Sequence, residues 1–204
     1  DVSVSGLIVV VDVENGASNF TAQAALSRAG AEVIAIANTP DGWNINDGVG
    51  STHLDYLRSA VLKNGADVGI AHDGDADRCL AIDATGAEID GDVIMAILAK
   101  GFKAQGKLRA NTIVGTVMSN LGFMHAMAEA GIEVVTTAVG DRYVLEAMLQ
   151  SDFNLGGEQS GHVIMRDHAN TGDGLLTALQ LLAEVKRSGQ TLQELSLVMV
   201  RFPQ

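Results

Sequence analysis

Two tandem α/β units, each a mostly parallel sheet flanked by helices, are the fold class this sequence predicts. Three observations carry it. Short apolar runs rich in Val and Ile alternate with helix-length amphipathic segments along the chain. The alternation pauses at the polar, basic stretch 103–110 (KAQGKLRA) and then starts again. The two halves also share landmarks at one constant offset: Ser18-Asn19 with Ser119-Asn120, and Ala29-Gly30-Ala31-Glu32-Val33 with Ala130-Gly131-Ile132-Glu133-Val134. Each Ser-Asn pair reads as a helix N-cap, and each glycine as a left-handed C-cap ahead of a β-branched strand.

The elements follow in order. Residues 6–13 (GLIVVVDV) form a continuous β-branched run, the pattern of a strand buried on both faces. Turn residues 14–18 lead to a helix over 19–29, and 32–37 is the next strand. The Asn-, Asp- and Gly-rich stretch 38–50 is a loop, followed by a helix over 51–64 and a strand over 67–72. Strands 79–83 and 88–89, joined by Ala84-Thr85-Gly86-Ala87, read as a hairpin. A helix over 92–102 closes the first unit, 1–103. The second unit, 104–198, holds strand 112–117, helix 120–130, strand 133–137 and helix 142–150. Short strands 154–155 and 163–166 precede helices over 174–187 and 191–198, and 199–204 reads as the start of a linker. Parallel strands joined by right-handed crossovers gather ligands at their C-terminal ends.

Composition narrows the function. The 204 residues are 47% hydrophobic and carry a net charge of −12, which argues against nucleic acid or an anionic membrane as a partner. An anionic substrate would need local Arg, Lys, backbone N–H groups or a metal. The longest apolar runs, such as 7–11, are too short to span a bilayer, and the lone Cys79 suits a reducing cytoplasm. The chain begins without methionine and stops at Arg201-Phe202-Pro203-Gln204, so it reads as a piece of something longer.

Two clusters carry chemistry. Asp73, Asp75 and Asp77 stand two apart directly after a buried strand, with Arg78 next. On an extended chain their carboxylates would share one face. An all-oxygen set suits Mg²⁺ rather than zinc, and Arg78 beside a cation makes sense if a phosphate bridges them. The plain alternative is an Asx-rich turn with solvated carboxylates. An EF-hand fails, since its required glycine and glutamate positions hold Arg78 and Ala84. The second cluster, Gly156-Gly157-Glu158-Gln159-Ser160-Gly161-His162, sets a carboxylate, an amide, a hydroxyl and an imidazole among glycines, a display fit for sugar hydroxyls. A Gly-rich hairpin turn is its bland reading. Arg142, in Gly140-Asp141-Arg142-Tyr143, could meet an anion or belong to a helix cap, and Asp173 reads as a cap. A Mg²⁺-dependent phosphatase with an aspartate nucleophile would need a DxDx[TV] loop, which Asp12-Val13-Glu14-Asn15 does not supply.

With these motifs in this order, the chain resembles the α-D-phosphohexomutase superfamily. Asp73-Gly74-Asp75-Ala76-Asp77-Arg78 matches that family's metal loop, and Gly157-Glu158-Gln159-Ser160-Gly161-His162 its sugar-binding loop. The glutamine form, with Asn15-Gly16-Ala17 and Pro40-Asp41-Gly42, resembles most its bacterial glucosamine-phosphate branch. The resemblance implies the second and third of four domains around a cleft. It implies exchange of a hexosamine 6-phosphate and 1-phosphate through a bisphosphate, with a phosphoserine of the first domain as donor. By that likeness Asp73, Asp75 and Asp77 hold Mg²⁺, and Arg78 steadies the phosphate. Gly157, Glu158, Ser160 and Arg142 bind the sugar, and His162 supports the loop or proton transfer. No Ser-His-Asn-Pro nucleophile segment occurs here, so this piece alone is expected to be inactive without domains 1 and 4. The alternatives are a phosphomannomutase or phosphoglucomutase of the same superfamily, and a non-catalytic sugar-phosphate binding module.

Overall fold

The β-branched run at the start of the chain is buried on both faces of its sheet, Val10 packing with Leu57 and Val61, and Val9 and Val11 with Ala22 and Leu26. In the computed structural model, which describes residues 3–203, β1 (Ile8–Asp12) lies between β2 (Glu32–Ile36) and β3 (Val68–His72), parallel to both. Val9 stands opposite Val33 on one side and Val68 on the other. β4 (Cys79–Asp83) returns antiparallel to β3, and β5 (Glu88–Ile89) completes a five-stranded sheet of order β2-β1-β3-β4-β5. Asp83 sets the hairpin: its Oδ1 accepts from the N–H groups of Thr85 (2.8 Å) and Ala87 (3.0 Å). The second sheet has order β7-β6-β8-β9, from β6 (Thr112–Thr116), β7 (Glu133–Thr137), β8 (Leu155–Gly157) and β9 (Val163–Met165). β6 is parallel to β7 and β8, whereas β9 runs antiparallel to β8. Both sheets thus have a parallel centre and an antiparallel edge. β8 runs further than the sequence suggested and takes in Gly156 and Gly157.

Seven helices join the strands among the described residues: α1 (Thr21–Ala29), α2 (Leu54–Asn64), α3 (Gly91–Ala104), α4 (Leu121–Glu129), α5 (Asp141–Gln150), α6 (Gly174–Ser188) and α7 (Leu192–Ser196). Gly30 ends α1 in the left-handed conformation (φ 108°), and Asn120 caps α4 by accepting from Gly122 N. The matching Ser18-Asn19 pair is no cap. α1 starts later, and buried Ser18 instead places its Oγ 3.0 Å from His72 Nδ1. Burial of that hydroxyl beside an imidazole outweighed the local capping preference.

The helices interlock the two sheets. α2 packs on β1, β3 and β4, and α6, from the far end of the chain, packs on β3, β4 and α1. α3 packs against α4, α6, α7 and β8 as well as β4. One apolar core therefore runs from Val9, Val11 and Ile70 through Ile94, Met95 and Leu98 to Phe123, Leu155 and Leu181. Lys103, near the end of α3, donates from Nζ to Ala130 O (2.6 Å) and Gly131 O (2.8 Å) at the carbonyl end of α4. Lys103→Met removes a charge-assisted helix-end contact and is expected to lower stability by about 1–2 kcal/mol. A lower urea midpoint at unchanged slope is the result to look for.

Candidate active site

β3 ends at His72, which is fully buried, and the chain turns through 73–78 before returning as β4. Asp73, Asp75 and Asp77 each bring a carboxylate oxygen within 4.8 Å of the others. They converge through a tight turn and not through an extended chain: Ala76 adopts φ 64°, and its N–H donates to Asp73 O (3.0 Å). Asp73 Oδ1 accepts from Arg78 N (3.1 Å). Arg78 Nε lies 3.4 Å from Asp73 Oδ2 and 3.7 Å from Asp77 Oδ1. Burial, and then the charge of Asp73, push the Asp77 carboxyl up to about 6, against the opposing pull of His162. Asp77 Oδ1 is buried without a hydrogen bond. One guanidinium against three carboxylates leaves an oxygen-only donor set short of positive charge, and a hard divalent cation such as Mg²⁺ fits it.

More titratable groups stand behind this turn than the sequence reading picked out. Glu14 is buried at φ 53°, and burial followed by Asp73, Asp12 and Asp75 raises its carboxyl to about 7. Asp12 holds that bend in place, with Oδ1 accepting from Glu14 N (2.9 Å) and Oδ2 from Gly50 N (3.0 Å). Burial lowers the His72 imidazole to about 4, so it is neutral at pH 7. The available signal was their position: acids and a histidine at the C-terminal ends of strands whose other residues are apolar.

The second cluster is joined to the first edge to edge. The turn closes with Gly161 N donating to Glu158 O and Glu158 N to His162 O, both 3.0 Å. Cys79 N then donates to Gly161 O (3.0 Å), and Arg78 pairs with His162 in an isolated antiparallel bridge. From the other side, Gly174 N donates to Ala76 O (2.9 Å). The approach is possible because two of these positions lack a side chain. A Cβ at Gly161 would stand 2.5 Å from Cys79 O, and one at Gly174 2.2 Å from Arg78 O.

A cleft of about 620 Å³ opens where the two sheets' strand ends meet. Arg78 lines it from the first cluster, Glu158, Gln159 and Ser160 from the second, and Thr116 and Met118 from the end of β6. Glu158 is oriented by Gly140 N, which donates to its Oε1 (2.9 Å). His162 lies beneath the acidic turn, buried, with Nε2 3.4 Å from Asp77 Oδ2. Gly157 is buried within β8, off the cleft wall. Arg142 is exposed on α5 and pairs with Glu146 (2.8 Å), so its side chain follows its own helix. Asp173 caps α6 by accepting from Leu176 N (2.9 Å).

Comparison with known proteins agrees with this fold. Residues 2–86 match the model for phosphoglucomutase/phosphomannomutase, alpha/beta/alpha domain II, and residues 90–202 match that for domain III. The chain belongs to the phosphoglucomutase/phosphomannomutase family. It is 62% identical over 199 residues to a phosphoglucosamine mutase of Renibacterium salmoninarum, covering 98% of this chain and 44% of that protein. The chain thus spans less than half the length of such relatives. A phosphoglucomutase/phosphomannomutase family protein of Burkholderia thailandensis superposes with a TM-score of 0.87 at 24% identity, covering 97% of this chain and 44% of that one. N-acetylphosphoglucosamine mutase of Aspergillus fumigatus, solved with GlcNAc-6P and magnesium, superposes with a TM-score of 0.76 at 18% identity, covering 98% and 51%.

In this phosphoglucomutase/phosphomannomutase chain a further acidic pair stands at the start of α3. Asp90 caps the helix through Val93 N (3.1 Å), and fully buried Asp92 accepts from Asn120 N (2.6 Å). Burial raises the Asp92 carboxyl from 3.8 to about 6. Its folded-state pKa lies above its unfolded one, so the folded protein holds the proton more tightly. Its contribution to stability is therefore greatest below about pH 4 and declines as pH rises to about 6, by at most ~1.4 kcal/mol per pH unit. Asp92→Asn is expected to flatten that part of the stability–pH curve, measured as the difference from the parent protein. Parallel curves would assign the slope to other groups. No helix among the described residues is long and apolar enough to cross a membrane.

Proposed function

We propose that this chain is the metal- and sugar-binding part of a phosphoglucosamine mutase, which interconverts glucosamine 6-phosphate and glucosamine 1-phosphate. The observation that carries the reading is the direct backbone junction of the acidic turn and the polar turn, through Cys79 N and Gly161 O, at the wall of one cleft. A phosphate at one turn and a sugar ring at the other would then lie side by side. The high identity to proteins named phosphoglucosamine mutase, and the GlcNAc-6P and magnesium bound by a structural neighbour, favour an amino sugar and this metal.

Asp73, Asp75 and Asp77 would hold Mg²⁺, which when bound offsets the charge of a transferring phosphoryl group. Arg78, fixed by Asp73 and Asp77, presents its guanidinium to phosphate oxygens from the same turn. Glu158 and Ser160 accept from and donate to sugar hydroxyls, with Glu158 aimed by Gly140. His162 steadies the acidic turn from beneath through Asp77. The phosphoserine donor and a glucosamine bisphosphate intermediate belong, in this reading, to the full-length parent, whose remaining parts complete the cleft. The lone Cys79, buried and free, suits a cytoplasmic setting.

The test is conversion of glucosamine 6-phosphate by the full-length parent with Mg²⁺, followed by ³¹P NMR, against mannose 6-phosphate and glucose 6-phosphate. A preference for the amino sugar of about 10²-fold or more in kcat/KM is expected. Equal or better conversion of the plain hexoses reassigns the protein to phosphomannomutase or phosphoglucomutase activity. Binding without any conversion makes it a sugar-phosphate binding module.

A further inference from the structure

One buried carboxylate beside the acidic turn has no partner of its own. Glu14 is 3% exposed, and its Oε2 is buried without a hydrogen bond. Sheet register puts it next to the turn. β1 and β3 are parallel with Asp12 opposite Ala71, so two residues further on Glu14 comes level with Asp73, on chains that run about 5 Å apart within the sheet. The bend after Glu14 is seated on the turn itself. Ala17 N donates to Gly74 O (2.8 Å), and a Cβ at Gly16 would stand 2.4 Å from that same oxygen. On the other flank the Glu14 side chain lies over Gly50, where an added Cβ would meet Oε2 at 2.3 Å. Glu14 also holds φ 53°, a left-handed conformation uncommon for a glutamate, kept by Asp12 Oδ1 accepting from its N–H and by Gly16 N donating to Val13 O (2.7 Å).

We propose that Glu14 is a fourth carboxylate of the acidic turn, which acts on the divalent cation from outside its ligand set and governs how tightly it is held. Asp73, Asp75 and Asp77 bring the oxygens that converge on one point, and Glu14 is not among them, so it works through its charge. Asp12, the other buried acid here, is already satisfied, since both its oxygens accept backbone N–H groups. Arg78 is engaged by Asp73 and Asp77. Burial is the main influence on the Glu14 carboxyl, and the charge of Asp73 comes next, which places the two groups within electrostatic reach. An unpaired carboxylate buried beside three others is unfavourable in the metal-free protein and becomes favourable once a doubly charged ion sits among them.

This inference rests on the reading of the acidic turn as a Mg²⁺ site. In the full-length parent, isothermal titration of Mg²⁺ is expected to show affinity about tenfold weaker in Glu14→Gln, which keeps the shape and removes the charge. The melting temperature of the metal-free variant should rise, because a repulsion is lost, while the further gain on adding Mg²⁺ should shrink. Glu14→Gly frees the backbone from its left-handed strain and should weaken Mg²⁺ to the same extent, showing that the loss follows the charge. Unchanged Mg²⁺ affinity in Glu14→Gln would overturn the proposal. So would a joint fall in affinity and metal-free melting temperature, which would make Glu14 a structural support of the bend. A parent that takes up no Mg²⁺ overturns the metal reading itself, before any variant is made.

Discussion

Asp75→Asn in the full-length parent is expected to reduce mutase turnover by about 10²–10³-fold, the scale of losing one charge-stabilising group in an active site. Asp75 is the exposed member of the three aspartates, and its carboxylate oxygen lies within 4.8 Å of those of Asp73 and Asp77. Without a cation these groups repel, and at Asp77 the charge of Asp73 adds to burial in raising the carboxyl. Removing one charge therefore relieves the fold slightly while weakening the metal site. Stability and activity move in opposite directions, which a merely structural aspartate would not do. Titration of Mg²⁺ alongside turnover and melting temperature checks all three. Turnover that survives the substitution removes the metal from the mechanism.

Gly161→Ala is expected to be strongly damaging at the junction of the two turns, because it combines a clash with a left-handed backbone. Gly161 sits at φ 94°, a region closed to side-chain-bearing residues, and the added carbon would meet Cys79 O at 2.5 Å. The closest atom is backbone, which cannot swing aside as the neighbouring Leu80 side chain can. A loss of about 2–4 kcal/mol is expected, with both turns displaced together because Cys79 N also bonds Gly161 O. Ser160→Ala, one residue away, is the control: it deletes a cleft hydroxyl without adding bulk, so it should lower sugar affinity and leave the denaturation midpoint alone. Equal stability of Gly161→Ala and the parent would mean that the junction does not hold the turns in place.

The chemistry was legible because it is contiguous. Three aspartates and an arginine lie within six residues, and the carboxylate, amide and hydroxyl that line the cleft are consecutive, so both clusters survive any error in where the elements begin or end. The residues that escaped notice are separated in sequence from what they touch. Glu14 reaches the acidic turn from the end of β1, Ser18 meets His72 across the sheet, and Arg201 meets Asp90 from the far end of the chain. Arg142 shows the reverse: an arginine well placed in the sequence turns along its own helix to Glu146.

By itself, the amino-acid sequence determined the alternation of strands and helices, the capping glycine at Gly30, and the location of the acidic turn and the polar turn. These are set by backbone preferences and apolar periodicity within windows of a few residues. Only the tertiary structure decided that α6 covers the first sheet, that α3 serves both, and that the two turns share a wall. Residues 91–99 are buried all round, so α3 carries no apolar stripe to say which sheet it faces. Which surface covers a buried element depends on long-range packing and on close backbone approaches such as Gly161 to Cys79 and Gly174 to Arg78.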